Sequence, residues 1–289
     1  MVLSETTIQG LIIKTQSGFF FVETAQGLVV CQLRGKLKRG RAIGDIAAIG
    51  DHVQVTAAGD GSGTIEEVEE RERALVRLDP RPRGIYQQVL LANPDPKLRM
   101  LDRFLVVAEK IKVPVIIVAN KTDLVNNAEE IFGIYTRIGY RGIYTAARAG
   151  RGVEELREVL TGKLSALAGP SGVGKSTLLN ALQPGLGLAV NEISLAVNKG
   201  KHTTVARQLI PLAGGGYVAD TPGRKSLALW DTRPEEIDAY FPELAPLVKH
   251  CQFSDCSHTH EPGCAVLAAL AAGTIHAKRY DSYLRLRAG

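Results

Sequence analysis

The sequence predicts three domains of different class: an N-terminal all-β barrel of the OB type, a central α/β P-loop domain, and a small C-terminal α-helical domain organised by a metal. Three observations carry this reading. Short alternating strands fill the chain as far as residue 71. From Ile85 onward apolar strands alternate with helical stretches, and one of them runs into Gly-x-x-x-x-Gly-Lys-Ser at 169–176. Finally, three of the four cysteines fall between Cys251 and Cys264 together with His258. At 289 residues the chain is long enough for several cores.

The barrel comes first. Leu11 to Thr15, Phe19 to Glu23, Leu28 to Leu33, Asp45 to Ile49, His52 to Ala57 and Gly63 to Val68 read as strands, separated by turns at Gln16-Ser17-Gly18, Ala25-Gln26-Gly27 and Gly59-Asp60-Gly61. Five or six strands in this span suit an OB-fold, and an SH3-like barrel or a sandwich would show the same pattern. Cys31, in an apolar run, reads as core. The segment Arg71 to Gly84, with five arginines and two prolines, reads as a linker.

Next the texture changes. Strands are expected at Ile85 to Ala92, Val113 to Ala119, Gly142 to Ala146 and Leu164 to Ala168, with helices at Pro96 to Lys110, Ala128 to Gly139, Val153 to Leu160 and from Lys175 to the stop at Pro184. Near-continuous apolar strands between helices imply a mainly parallel sheet. Val205 to Pro211 and Gly216 to Ala219 follow as an adjacent pair. After Thr232 only helical signal remains. The expected domains are 1–71, 72–232 and 233–289.

The chemistry lies in motifs at strand ends. Gly169-Pro170-Ser171-Gly172-Val173-Gly174-Lys175-Ser176-Thr177 joins a strand to a helix, where glycines let backbone N–H groups face a phosphate and the helix N-terminus favours the anion. Lys175 is expected beside the β- and γ-phosphates, and Ser176 on Mg²⁺. Asn120-Lys121-Thr122-Asp123 ends another strand. The Asp123 carboxylate matches the paired N–H donors of guanine, whereas adenine would leave it unpaired. Asn120 would brace the loop, and the stem of Lys121 would lie on the purine.

Ala146-Ala147-Arg148 holds the place of a Ser-Ala-Lys motif. Ala147 is to give an N–H to guanine O6, and the alanine at 146 removes a bracing hydroxyl. Asp220-Thr221-Pro222-Gly223 ends a strand as an Asp-x-x-Gly motif for Mg²⁺ and the γ-phosphate. Thr203 and Thr204 supply hydroxyls, with Thr204 taken as the magnesium ligand although spacing alone does not separate the two. Arg224 stands where a Ras-like enzyme keeps its water-orienting Gln, so either another group, with His202 as the catalytic candidate, positions the water, or Arg224 itself points at the phosphates.

The order of these motifs is itself informative. The guanine loop precedes the P-loop, the reverse of an ordinary GTPase.

Cys251, Cys256, His258 and Cys264 form a Cys₃His set suited to a closed structural zinc site, with His250 and His260 as alternative ligands. Arg34, Lys36, Lys38, Arg39 and Arg41 concentrate charge on a barrel loop, as an RNA contact would, and Lys278, Arg279, Arg285 and Arg287 with Tyr280 and Tyr283 repeat the pattern at the C-terminus. Glu66, Glu67, Glu69 and Glu70 read as a solvated face. The net charge of +5 is modest, so any nucleic-acid contact must be local. No apolar run approaches a membrane span, and Met1 to Gly10 lacks signal-peptide features, so the chain is expected to be cytoplasmic and monomeric.

The motif order 120, 146, 169, 203, 220, the leading barrel and the ending Cys251-x-x-x-x-Cys256-x-His258-x-x-x-x-x-Cys264 resemble the circularly permuted, small-ribosomal-subunit-dependent GTPases of the RsgA/YjeQ family. The resemblance spans nearly the whole chain. It implies an OB-fold, a permuted GTPase core, a zinc domain, and GTP hydrolysis stimulated by the small subunit during its late maturation. A zinc-stabilised RNA-binding protein holding GTP as a ligand, with little turnover, is the alternative that Arg224 suggests.

Overall fold

The computed structural model describes residues 7–16, 18–37, 46–69, 86–92, 98–186, 207–220 and 232–288. Five strands close the N-terminal barrel: β1 (Thr7–Gln16), β2 (Phe19–Thr24), β3 (Gly27–Leu33), β4 (His52–Ala57) and β5 (Ser62–Val68). β1 pairs with both β2 and β4, β2 with β3, β3 with β5 in parallel, and β5 with β4, so the ring has no gap. A register shift between Ile12 and Lys14 bends β1 enough to serve two neighbours. Ile12, Val22, Cys31, Val53, Val55 and Ile65 fill the interior with no exposed surface. Burial pushes the Cys31 thiol up to about 11, as befits a core residue rather than a reactive one. Of the strand expected at Asp45 to Ile49, the described residues 46–49 form no strand. Residues 46–50 are bends and turns, pinned by Asp51, whose carboxylate accepts from the Ala48 N–H at 2.8 Å.

The central sheet runs β10 (Arg207–Pro211), β11 (Tyr217–Asp220), β9 (Leu164–Ala168), β6 (Tyr86–Ala92), β7 (Val115–Asn120), β8 (Arg141–Thr145). All neighbours are parallel except the β10–β11 hairpin. Strand β9 is buried along its whole length, which is why its sequence, apolar except for the small Ser165, shows no polar–apolar alternation. Helices α1 (Leu98–Lys110), α2 (Ala128–Thr136), α3 (Val153–Leu160) and α4 (Lys175–Leu182) cover the sheet. Arg157 of α3 donates to the carbonyls of Ala181 and Leu182, so a cation caps the end of α4.

The sheet does not stop at β10. Strand β1 of the barrel pairs with it antiparallel, Lys14 opposite Gln208 and Thr15 opposite Arg207, joining barrel and central sheet into one array. Leu11, Ile13 and Ile49 pack beneath this junction against Val113, Leu164 and Leu209.

The C-terminal part holds a 3₁₀ segment at Pro234–Tyr240 and helices α5 (Ala245–Val248), α6 (Ala265–Ala271) and α7 (Ala277–Ala288). It packs on α1, whose Val106 enters the same apolar cluster as Ile237, Phe241, Leu244, Val266 and Tyr283. Helix α1 is therefore buried on two sides, with Leu101, Phe104 and Leu105 facing the sheet. Among the described residues, no helix is long and apolar enough to cross a membrane.

Candidate functional site: a nucleotide cleft and a cysteine–histidine centre

The P-loop leaves the C-terminal end of β9 and enters α4. Gly169 passes so close to β6 that a Cβ there would lie 2.6 Å from the Leu91 carbonyl oxygen. Gly174 closes the loop in the left-handed region, φ 99°, where a Cβ would meet the Asn120 side-chain nitrogen at 2.4 Å. Between them Ser171 and Gly172 are exposed while Val173 is fully buried, so the loop's tip is open and its base is anchored. Lys175 curls back over the loop, its Nζ donating to the carbonyls of Gly169 at 2.9 Å and Pro170 at 3.1 Å. Ser176, on the first turn of α4, is buried, and Thr177 beside it is partly exposed.

The guanine loop comes from the end of β7, two strands away, and touches the P-loop directly. Asn120 is 2% exposed; its Nδ2 donates to the Val173 carbonyl at 2.9 Å. Its Oδ1 accepts from the Thr145 hydroxyl at 3.0 Å and, more distantly, from the Ala147 N–H at 3.4 Å. One side chain thus ties together three loops separated in sequence by some fifty residues. Lys121, left-handed at φ 63°, donates from Nζ to the Gly172 carbonyl at 2.7 Å, while Asp123 remains exposed.

Thr145 is the residue that sequence reasoning missed. The alanine at 146 was expected to leave the loop short of a brace. The brace is present one position earlier, since Thr145 is fully buried against Asn120 and its own carbonyl accepts from the Thr122 hydroxyl at 3.2 Å. A hydroxyl immediately before Ala146 was the available signal. The long Ala147 N–H contact leaves that donor weakly committed, as expected of a group that is to meet a ligand.

Asp220 ends β11, at the same C-terminal edge of the sheet as Ala168 and Asn120. His202, Thr203, Thr204, Gly223 and Arg224 lie outside the described residues, as do Lys38, Arg39 and Arg41. Of the expected barrel cations, Arg34 and Lys36 are exposed, and Arg34 forms an ion pair with Glu66. Glu66 is therefore no bystander on a solvated face. It partly neutralises the cation cluster.

At the C-terminus the ligand atoms of Cys251, Cys256, His258 and Cys264 lie within 4.8 Å of one another, and His250 and His260 stand apart from this group. Cys251 Sγ is 3.6 Å from His258 Nδ1 and 4.0 Å from Cys264 Sγ, and His258 Nδ1 is 3.4 Å from Cys264 Sγ. A tetrahedral zinc with ordinary bond lengths has S···S edges of about 3.8 Å and S···N edges of about 3.5 Å, so Cys251, His258 and Cys264 already stand at the spacing of a metal shell, with Cys256 Sγ within 4.8 Å of them.

Their surroundings fit too. His258 Nε2, opposite the sulphurs, lies 3.1 Å from an Asp238 carboxylate oxygen, which selects Nδ1 as the ligand atom. The Leu267 N–H points at Cys264 Sγ and the His258 N–H at Cys256 Sγ. Burial above all, with the neighbouring Cys251 and Cys264 sulphurs and against the His258 N–H, pushes the Cys256 thiol up to about 12, so a cation is what makes the thiolate favourable. Glu261 shapes the loop by accepting from the N–H groups of Ser257, Thr259 and His260; with the Ser257 hydroxyl first among them, these bonds hold its carboxyl well below the usual range. These four residues can hold a metal ion.

One cationic assignment is corrected. Arg279 was grouped with the exposed C-terminal cations, yet it is 1% exposed and salt-bridged to Asp102 and Glu243. Its helix places it on the inner face, one residue from exposed Lys278, a distinction that charge counting cannot make.

Comparison with known proteins agrees with this architecture. Residues 9–65 match the RsgA N-terminal domain and residues 69–230 the RsgA GTPase domain. The small ribosomal subunit biogenesis GTPase RsgA of Moorella thermoacetica is 41% identical over 283 residues, covering 96% of this chain and 95% of its own. The protein of the same name from Gemmatimonas aurantiaca is 41% identical over 98% of this chain and 97% of its own. Among solved structures, YjeQ from Thermotoga maritima superposes with a TM-score of 0.81 at 36% identity, covering 98% of each chain. YloQ, described as a circularly permuted GTPase, does so with a TM-score of 0.79 at 30% identity, over all of this chain and 96% of its own. With its permuted nucleotide motifs gathered at one sheet edge, behind a closed barrel and ahead of a cysteine–histidine centre, the chain belongs to the RsgA family of GTPases.

Proposed function

We propose that this RsgA-family GTPase binds the small ribosomal subunit and hydrolyses GTP there during late subunit maturation, the subunit stimulating the reaction. The observation that carries most weight is Asn120, which bonds the P-loop and the Ala146 loop simultaneously and so rebuilds a guanine-nucleotide cleft from motifs in permuted order. In that cleft Asp123 and Lys121 read the base, the N–H groups of residues 169–174 cradle the phosphates, and Lys175 leaves the Gly169 and Pro170 carbonyls for the β- and γ-phosphates. Ser176 and Thr204 hold Mg²⁺, with Asp220 behind them, and Gly223 meets the γ-phosphate. His202 positions the attacking water. The metal supplies charge stabilisation at the transferred phosphoryl group.

In this reading residues 1–71, 72–232 and 233–289 are the working domains, and the protein acts as a cytoplasmic monomer. Cys251, Cys256, His258 and Cys264 hold zinc as a folding element. The cluster Arg34 to Arg41 meets rRNA. The biogenesis role named for the Moorella and Gemmatimonas relatives supports the choice of partner.

Turnover measured with and without purified small subunits tests the proposal. Stimulation is expected. A rate that subunits leave unchanged rejects the ribosome-dependent reading, and no hydrolysis in either case favours GTP as a mere ligand.

A further inference from the structure

Arg279 sits at the centre of a buried polar cluster that bridges two parts of the chain. Its Nη1 lies 2.6 Å from Asp102 Oδ1 on α1, and its Nε and Nη2 lie 2.6 and 3.1 Å from the two oxygens of Glu243. The guanidinium stacks on Phe241 at 4.5 Å and faces the Tyr135 ring at 5.6 Å. Asp102, itself 1% exposed, also accepts from the Tyr135 hydroxyl on α2 at 2.8 Å and from the Ser282 hydroxyl on α7. Burial works against the guanidinium's charge, and Glu243 with Asp102 more than offsets it. Arg279 and Ser282 cross the interface to Asp102; Glu243 and Tyr135 complete the cluster from either side, and the Val106, Ile237, Phe241 and Tyr283 cluster packs around it. Sliding the C-terminal module over α1 would carry Arg279 and Glu243 away together and leave Asp102 buried without its cation.

The barrel grips a different part of the GTPase domain. It holds β10 through the β1 ladder and β11 through Tyr217, whose hydroxyl donates to Glu23. These two strands lie between Lys201–Thr204 and Asp220–Gly223, the segments expected at the γ-phosphate. Helices α1 and α2 follow β6 and β7; β7 carries the guanine loop, and neither strand carries a γ-phosphate motif. In GTPases the displacement on hydrolysis arises where the γ-phosphate had been held.

We infer that Arg279 clamps the C-terminal module and the α1–α2 face of the GTPase domain into one rigid body, and that nucleotide-dependent displacement passes through β10 into the barrel instead. This rests on the GTPase reading above. It is the opposite of what chain connectivity suggests, because the Asp220–Gly223 motif runs directly into the C-terminal module.

Spin labels on the free full-length chain test it. They are placed at Gln26, Glu130 and Ala272, all exposed, through non-cysteine chemistry that leaves the four native cysteines untouched. Between GDP and a non-hydrolysable GTP analogue, the Glu130–Ala272 distance is expected to stay constant while Gln26–Glu130 shifts by about 2 Å or more. A shift in Glu130–Ala272, or none in Gln26–Glu130, overturns the inference. Arg279→Met is expected to broaden the Glu130–Ala272 distribution, and an unchanged width removes the clamp role from Arg279. Nucleotide binding and turnover are recorded on the same samples, so a failure to bind GTP counts against the proposed function and is told apart from a failure of the clamp.

Discussion

Replacing Asn120 by Ala isolates the contact on which the nucleotide cleft depends. In the native cleft the amide satisfies the Val173 carbonyl and the Thr145 hydroxyl, both on fully buried residues, and takes a weaker bond from the Ala147 N–H. Alanine leaves the first two without partners. Each buried polar group so stranded costs roughly 1–3 kcal/mol, so the loops lose about 2–6 kcal/mol of mutual support. The nucleotide must restore the assembled arrangement when it binds, and even the lower figure corresponds to about a thirtyfold weaker affinity. Titration calorimetry with GDP measures this, with magnesium and protein folding held constant by circular dichroism. Gly174→Ala attacks the same contact from the other side, since its Cβ would press on the Asn120 amide at 2.4 Å in a backbone conformation that Ala resists. Both variants should weaken GDP in parallel. If Asn120→Ala binds GDP within threefold of the native chain, the claim that this amide assembles the site is refuted.

Arg279→Met should destabilise the protein by about 3–5 kcal/mol, because Asp102 and Glu243 are left buried without a cation. Urea titration followed at Trp230 or by ellipticity reads this, and Lys278→Ala on the exposed side of the same helix should change little. Chelation under reducing conditions should remove one zinc per chain and lower the melting temperature of the C-terminal helices; metal analysis finding no stoichiometric zinc would count against the centre. Asp123→Asn should shift preference from guanine toward xanthine nucleotides, and retained guanine selectivity in competition binding would reject the role given to Asp123. Lys36→Ala should lower the slope of log affinity for the subunit against log salt by about one. Arg34→Ala should lower it by less, since Glu66 already offsets that charge.

Much of the fold was legible because its cues are local. The parallel strands around Ile116 and Ala166 are nearly all apolar, the glycines at 169, 172 and 174 mark a loop that only small residues can turn, and Cys251 to Cys264 cluster within one short stretch. Less was legible where two environments meet. The strand expected at Asp45 to Ile49 fails over its described residues because Asp51 holds that backbone in a turn. Thr145 was passed over because its value depends on Asn120, twenty-five positions away. Arg279 was misread because alternating cations and tyrosines look the same in sequence whether a helix faces solvent or a partner.

The three classes of domain, the permuted order of the nucleotide motifs and the cysteine–histidine set able to hold a metal could all be read from the chain, since each rests on residue type and near-neighbour spacing. How the domains are joined emerges only in three dimensions: β1 of the barrel completes the edge of the central sheet at β10, and Arg279 on α7 neutralises Asp102 on α1. Backbone ladders and buried ion pairs form between segments nearly two hundred residues apart, and neither has a periodicity or a composition that marks it in the chain.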